Sequence, residues 1–199
     1  MKKLLVVCIS LMILVGCGSN KGLSNGKYIE KLKEIVLETP KKYLKDDYNK
    51  FPFYETEYEG ITYLAPDISI DLETSLLEKK EKDFKLYLKN RYASDKEIVE
   101  KLKEIEPKDE EIKGLNKDLI TTYEKNSYYF EILIYENENH NIEKFNDLYN
   151  EYEEFKKEKP CSIDEYQYLT MRLNENEQAL HNCLVNLENH LNFKFDKSE

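Results

Sequence analysis

The sequence contains no tryptophan, six glycines and five prolines among its 199 residues, and only Arg91 and Arg172 among its 30 basic residues are arginines. Beyond residue 27 the glycines are Gly60 and Gly114 alone, so no glycine-rich loop is present to bind phosphate. Because arginine is the side chain that binds phosphate and carboxylate groups through two parallel hydrogen bonds, that mode of recognition is nearly excluded. The absence of tryptophan, beside sixteen tyrosines, argues weakly against a carbohydrate-binding surface.

Histidine is also scarce, with His140, His181 and His190 as its three occurrences. His181 and His190 are nine residues apart and face opposite sides of a shared helix, so they do not form a pair of metal ligands. No serine or cysteine lies in a recognisable nucleophile motif. We therefore expect no catalytic residue, no metal site and no cofactor, and we predict that the chain is not an enzyme.

Acidic residues outnumber basic ones by 40 to 30. Without Lys2 and Lys3, which lie in an apolar N-terminal segment, the net charge falls from −10 to −12. A protein of this charge is repelled by nucleic acid and by anionic lipid head groups. We expect no nucleic-acid partner, and the charge favours a protein partner over an anionic wall polymer.

The apolar N-terminal run extends from Leu4 to Val15 and is interrupted only by Ser10. It is too short to span a bilayer, which requires roughly 20 apolar residues. Two lysines before the run and small residues at its end are typical of a secretory signal rather than of a transmembrane helix. We therefore expect the rest of the chain to lie outside the cytoplasm.

The run ends in Leu14, Val15, Gly16 and Cys17. This tetrapeptide resembles the lipobox of bacterial lipoproteins, whose first three residues are recognised by the signal peptidase. The resemblance implies removal of residues 1–16 and attachment of diacylglycerol to the Cys17 thiol, often with acylation of the new amino terminus. Because two or three acyl chains hold a protein firmly on a bilayer, the expected location is the extracytoplasmic face of the cell membrane. An ordinary cleaved signal followed by a chance cysteine is the alternative.

The composition divides the remaining chain into three parts. We expect residues 17–27 to combine the lipidated cysteine with a flexible tether, because this segment is rich in glycine, serine and asparagine. We expect residues 28–195 to form one helical bundle domain and residues 196–199 to form a disordered tail. Apolar residues recur at steps of three and four through most of the domain, and prolines separate the helical stretches. We predict an all-α fold, an antiparallel bundle of four to six helices.

Local signals mark several helix starts. Thr39 followed by Pro40 is typical of a helix N-terminus, so we expect two short helices or one kinked helix between residues 28 and 51. The segments 94–97 and 162–165 both have the form of a capping box, which predicts a helix restart at each. The turn at 105–107 and the helix that follows it look like the helical hairpins of Gram-positive lipoproteins of unknown function. That likeness covers about thirty residues and carries no functional residue over.

Residues 52–70 interrupt the helical pattern, and we expect an aromatic loop or a small hairpin that turns at Gly60. Its aromatic residues are candidates for binding a partner, because aromatic side chains are favoured as binding anchors. The alternative is that they cover one end of the bundle. The candidate partner-binding residues are Phe51, Phe53, Tyr54, Tyr58 and Tyr63.

The most regular pattern lies in residues 166–191 and predicts one long helix with a seam like that of a coiled coil. Asn176 falls on this seam, where a polar residue usually sets register. The same seam offers a way to form a homo-oligomer. Cys161 and Cys183 are 22 residues apart, about 33 Å along a helix, so they are too distant for a disulfide and we predict a free, buried Cys183.

These features favour a binding protein. The first hypothesis is a lipid-anchored helical protein that binds or scaffolds an envelope protein or a cell-wall component. Its membrane contact is the lipid on Cys17. The alternative is a lipoprotein that sequesters a ligand, either a cationic antimicrobial peptide, as an immunity factor does, or a small molecule.

Overall fold

The computed structural model describes residues 22–44, 53–58, 61–66, 74–159 and 162–195. The predicted all-α bundle is confirmed, and the small hairpin forms within residues 52–70. None of the described helices is both long and apolar enough to cross a membrane. In chain order the elements are α1 (Asn25–Lys33), a π-helical turn (Glu34–Glu38), α2 (Thr39–Leu44), β1 (Phe53–Tyr58), β2 (Ile61–Pro66), α3 (Thr74–Glu104), α4 (Glu110–Asn139), α5 (Asn146–Glu158) and α6 (Glu165–Leu191).

Helices α3, α4 and α6 form the centre of the bundle. A five-residue connection that contains the buried Pro107 joins α3 to α4 and reverses the chain. Along each interface between two helices, residue numbers therefore rise in one helix while they fall in the other. Asp95 meets Asn126 and Lys89 meets Glu138 between α3 and α4, and His190 meets Glu111 between α4 and α6. Helix α4 is thus antiparallel to both of its neighbours.

The N-terminal end of the described chain is fixed to the α3–α4 connection. The Leu23 amide donates to the Glu106 carbonyl at 2.6 Å, and the Lys108 amide donates to the Leu23 carbonyl at 3.0 Å. A Cβ at Gly22 would lie 2.7 Å from the Pro107 carbonyl oxygen, so only glycine allows this approach. The predicted tether, residues 17–27, is therefore wrong at its C-terminal end, because α1 already begins at Asn25. Cys17 and the rest of the N-terminal segment lie outside the described residues.

Of the three predicted helix starts, one agrees in part, one is wrong and one is shifted by two residues. The expectation of two short helices or one kinked helix is confirmed by α1, the π-helical turn and α2, which begins at Thr39. Thr39 has helical dihedral angles, however, and does not cap a separate helix; the π-helical turn precedes Pro40, which lacks the amide that a regular turn would use. The restart predicted at residue 94 is wrong, since α3 continues through it and buries Ser94. The cap of α6 is Asp164, two residues beyond the predicted Ser162; its carboxylate accepts from the Gln167 amide at 2.8 Å. Tertiary packing overrides the local signal at residue 94.

The bundle core consists of two apolar clusters with a polar layer between them. Both clusters contain residues of α3, α4 and α6. Along its buried side, each of these helices therefore has an apolar stretch, a polar stretch and a second apolar stretch. The α5 cluster includes Phe84, Leu88, Phe130, Leu133, Leu148, Tyr152, Leu169 and Leu173. The α1 cluster includes Tyr28, Leu32, Ile98, Leu102, Ile112, Leu119, Leu180 and Leu187. The polar layer comprises Arg91, Ser94, Asp95, Asn126, Asn176 and Glu177.

Candidate functional site

The predicted aromatic segment folds as an antiparallel two-stranded hairpin. Its register pairs Phe53 with Pro66, Thr56 with Tyr63 and Tyr58 with Ile61. Because successive residues of a strand alternate between faces, positions 54, 58 and 63 fall on one face of the hairpin and position 53 on the other. Three of the five candidate partner-binding residues therefore share a face.

Phe51, the fifth candidate, lies outside the described residues. Strand β2 lies beside α6, so the hairpin is held against the helix that carries the predicted seam. This arrangement leaves both sequence-based interpretations of the aromatic residues open, the partner-binding surface and the cover for the bundle. The involvement of Phe53, Tyr54, Tyr58 and Tyr63 in binding stays a prediction.

A second feature, not predicted from the sequence, is an open groove of about 710 Å³ between α5 and α6. The two helices form an antiparallel hairpin, in which the Tyr152 hydroxyl donates to the Ile163 carbonyl at 3.2 Å. Four carboxylates of α5 line the groove at steps of four, three and four residues, a spacing that places them along one helix face. They belong to Asp147, Glu151, Glu154 and Glu158, and α6 contributes Tyr168 and Arg172 to the opposite wall.

Two of these carboxylates already have cationic neighbours. Arg172 lies 3.7 Å from Glu151 and 2.6 Å from Glu175, and Lys157 lies 3.1 Å from Glu154. Within the described part of the chain, Asp147 and Glu158 take part in no ion pair. Four carboxylates against one guanidinium make the groove strongly acidic.

Two aromatic side chains, Phe155 and Tyr168, also line the groove. Tyr168 is only 4% exposed, and its ring centroid lies 5.1 Å from that of Phe155 and 5.5 Å from that of Tyr152. Burial raises the pKa of Tyr168, with the Glu151 carboxylate adding to the effect, so the hydroxyl stays protonated as a donor. The Arg172 Nε is also buried and lacks a partner among the described residues.

The polar layer is a separate site, enclosed between α3, α4 and α6. Arg91 Nη2 lies 2.8 Å from Glu177 Oε1 and 3.9 Å from Asp95 Oδ2. Asn126 Nδ2 donates to Asp95 Oδ2 at 2.8 Å and to Glu177 Oε1 at 2.9 Å. Asn176 Nδ2 completes the layer by donating to Asn126 Oδ1 at 3.1 Å. All three helices thus contribute to one hydrogen-bonded network.

Electrostatics in the layer follow from burial. Asp95 is 1% exposed, and desolvation raises its pKa to about 6 against the opposing effect of the Arg91 guanidinium. Desolvation also acts to lower the pKa of Arg91, but the carboxylates of Asp95 and Glu177 outweigh it and the net pKa is raised. Arg91 Nε and Ser94 Oγ are buried in the layer without a partner among the described residues. Because the layer is enclosed and its charged groups pair with one another, we expect it to set helix register.

The prediction of one long helix over residues 166–191 is confirmed. Helix α6 is unbroken from Glu165 to Leu191, and Asn176 is buried on it as predicted. The prediction of a free Cys183 is confirmed, although its side chain is half-buried rather than buried and lies 3.6 Å from the Thr122 hydroxyl. Cys161 lies outside the described residues. In the described ranges, no group of three or more His, Cys, Asp or Glu side chains is arranged to hold a metal ion.

The groove was missed because its residues look ordinary in sequence. The acidic spacing from Asp147 to Glu158 is visible, but forty acidic residues produce many such spacings. Only the packing of α5 on α6 shows which of them surround a concave surface. No protein-family model, curated protein or solved structure matches the chain, so its function must be argued from this geometry.

Proposed function

We propose that this chain is a lipid-anchored binding protein on the extracytoplasmic face of a bacterial membrane. It binds or scaffolds another component of the envelope and catalyses no reaction. The observation that supports this most is the open groove between α5 and α6, because it is concave and strongly charged and lies at the surface of the α5 cluster. The N-terminal resemblance to a lipobox supplies the anchor at Cys17.

The hairpin is a second candidate contact. Positions 54, 58 and 63 fall on one face of the paired strands, and the tyrosines at these positions are the predicted anchors for a protein partner. The hairpin and the groove both adjoin α6, so one partner that follows α6 can reach both surfaces.

The proposal is tested by photo-crosslinking in intact native cells. A photoreactive amino acid is placed at Asn150 in the groove or at the exposed Thr62 of the hairpin, with the exposed Lys117 of α4 as the matched control. We expect one dominant envelope protein to be captured from Asn150 or Thr62 and not from Lys117. Equal capture from all three positions, or capture from none, contradicts the proposal.

The anchor needs its own measurement. Mass spectrometry of the mature amino terminus should detect diacylglycerol on Cys17, and Cys17→Ser should release the protein from the membrane fraction. An unmodified Cys17, or a terminus at another residue, would instead indicate an ordinary secretory signal.

A second candidate function is the capture of a cationic peptide or a small cationic molecule. The acidic lining of the groove favours it specifically, because four carboxylates attract a positively charged ligand. Both candidate functions use the groove between α5 and α6. In one the groove holds a free cationic ligand, and in the other it holds part of a partner protein. The absence of any crosslinked protein together with tight ligand binding would favour capture.

A further inference from the structure

We propose that the bundle stands on the lipid bilayer with one end facing the lipid and with α5 and the groove held away from it. The anchor end, which faces the lipid, consists of residues 22–27, 106–113 and 190–194. Hydrogen bonds of Leu23 join the first two segments, and His190 Nδ1 lies 3.3 Å from Glu111 Oε1. This orientation rests on the proposed lipid anchor at Cys17, and it names the surface that meets the membrane.

The chain between the lipid and the fold is short. Cys17 precedes Gly22 by five residues, which span at most about 18 Å even when fully extended. A lipid on Cys17 lies in the bilayer, so Gly22 and the α3–α4 connection beside it stay within that distance of the head groups. A flexible tether through residue 27 would instead let any face of the bundle approach the lipid.

The fold holds this end of the chain firmly. Leu23 packs against the α1 cluster and makes backbone hydrogen bonds on both sides of Pro107. Tyr28, near the start of α1, is fully buried, and its hydroxyl donates to Asn116 Oδ1 at 2.9 Å. Detaching residues 22–28 would expose this ring and remove a donor from the buried Asn116. The point at which the lipid is attached is therefore fixed on the bundle.

Charge is distributed unevenly between the two ends. The anchor end carries four lysines and four carboxylates, so it is neutral when His190 is neutral. Residues 136–158, which comprise the last turn of α4, the connection after it and α5, carry three lysines and eight carboxylates. Anionic head groups repel this acidic region and not the anchor end. They therefore favour the orientation in which α5 points away over one in which the bundle lies on its side.

The length of the bundle determines how far from the lipid α5 is held. Helix α4 begins in the anchor end and extends for 30 residues, about 45 Å. Helix α5 packs on the far half of α6, where Tyr152 meets Ile163 and Glu151 meets Arg172. The groove thus lies on the order of tens of ångströms above the lipid. At that height it meets the part of a partner protein that projects from the membrane, not a segment embedded in lipid.

The test is energy transfer from a single fluorophore to acceptor lipids, with the full-length lipidated protein in vesicles of phosphatidylcholine and phosphatidylglycerol. A noncanonical amino acid carries the fluorophore at the exposed positions Lys108, Lys125 or Glu143, which lie in the anchor end, midway along α4 and at the far end. We expect transfer to fall in that order and to be at least about threefold stronger from Lys108 than from Glu143, because of the length of α4. Equal transfer from the three positions, or the strongest transfer from Glu143, would overturn the inference.

A longer link tests the attachment itself. About ten glycine and serine residues are inserted between Lys21 and Gly22, and the vesicles contain phosphatidylcholine alone, so that charge gives no preference. The ratio of transfer from positions 108 and 143 should fall by at least about half, with an unaltered circular dichroism spectrum. The matched control, the same insertion after Phe195, should leave the ratio unchanged. A ratio that survives the insertion before Gly22 would contradict the role of the short link.

Cys17→Ser distinguishes failure of this inference from failure of the proposed function. If the wild-type protein carries no lipid and, like Cys17→Ser, shows no transfer from any position, the anchor and the orientation both fail. If the lipidated protein binds vesicles but gives equal transfer from positions 108 and 143, the orientation fails and the anchored binding function stands. Ordered transfer that Cys17→Ser abolishes supports both.

Discussion

Two carboxylates of α3, two residues apart, respond to opposite environments. Asp95 points into the polar layer, where desolvation raises its pKa to about 6 despite Arg91 and Asn126. Glu97 lies at the interface with α2, where hydrogen bonds from Lys101, Lys42 and Tyr43 lower its pKa to about 2. The charge of Asp95 therefore opposes folding, whereas the charge of Glu97 favours it. The two pKa values differ because Asp95 is buried and its partners do not fully offset the cost of desolvating its charge. Glu97 is partly exposed and accepts hydrogen bonds from three donors.

The two clusters also hold different parts of the molecule together. The Asp95 network joins the three central helices at the boundary between the two apolar clusters. The Glu97 cluster holds α2 on the outside of α3, with Lys42 at 2.6 Å and Lys101 at 2.8 Å from the carboxylate. Loss of the Asp95 network should lower the stability of the whole fold, whereas loss of the Glu97 cluster should mainly destabilise the short helix α2.

The largest expected effect is the loss of the buried cation. Arg91→Met keeps much of the side-chain volume but leaves the carboxylates of Asp95 and Glu177 facing each other without the guanidinium. We expect the free energy of unfolding at pH 7 to fall by about 3–5 kcal/mol, because one partner of a buried ion pair is left uncompensated. Urea unfolding followed by circular dichroism measures it. A loss below about 1 kcal/mol would show that water already solvates the layer.

The next largest effect is a gain in stability. Asp95→Asn keeps an oxygen that accepts from Asn126 and removes the charge that burial disfavours. A pKa raised from 3.8 to about 6 corresponds to a penalty on the order of 1–3 kcal/mol at pH 7, and the variant should recover part of it. The measurement is the urea midpoint at pH 7. A clear destabilisation would mean that the pairing with Arg91 outweighs desolvation.

The dependence of stability on pH separates the two carboxylates. The folded pKa of Asp95 is raised, so its contribution is fully present below pH 3.8 and is lost as pH rises through about 6. The folded pKa of Glu97 is lowered, so its contribution is present above pH 4.5 and is lost as pH falls through about 2. Unfolding measured at several pH values should show stability that falls between pH 4.5 and 7, and Asp95→Asn should remove that slope. A slope that persists in the variant would assign it to another group.

A smaller loss is expected at the surface cluster. Glu97→Gln removes the charge that Lys42 and Lys101 share but keeps an acceptor for Tyr43. We expect a loss of about 1 kcal/mol or less, diminished by high salt, because partly exposed ion pairs contribute little. Hydrogen exchange should accelerate in α2 more than in α4. Uniform acceleration in all helices would contradict the local role of this cluster.

The sequence predicted the fold better than it predicted these clusters. The steps of three and four residues and the separating prolines were sufficient for the antiparallel bundle, and Asn176 was correctly placed on a buried seam. The segment 94–97 was misinterpreted because serine, aspartate and glutamate at this spacing usually begin a helix. In α3 they meet partners that are distant in sequence, Asn126 for Asp95 and Lys42 for Glu97.

The candidate groove lay beyond sequence reasoning for the same reason. The carboxylates of its acidic wall recur at regular steps in α5. Its depth and the position of the buried Tyr168 depend instead on how α6 packs against α5. Local patterns predict which residues form a helix face, whereas only the tertiary arrangement shows which faces enclose a space. The polar layer is a further example, since its six residues come from three helices.

The smallest expected effect provides a reference that touches neither cluster. Gly114 lies on the exposed side of α4, where a Cβ would meet no atom within 4 Å. Gly114→Ala should stabilise the protein by about 0.5 kcal/mol, because alanine loses less backbone freedom in a helix. The matched control is Gly22→Ala, which should destabilise it, since the new Cβ would clash with the Pro107 carbonyl. If Gly114→Ala leaves the slope between pH 4.5 and 7 unchanged while raising stability, the slope belongs to the buried network and not to helix stability in general.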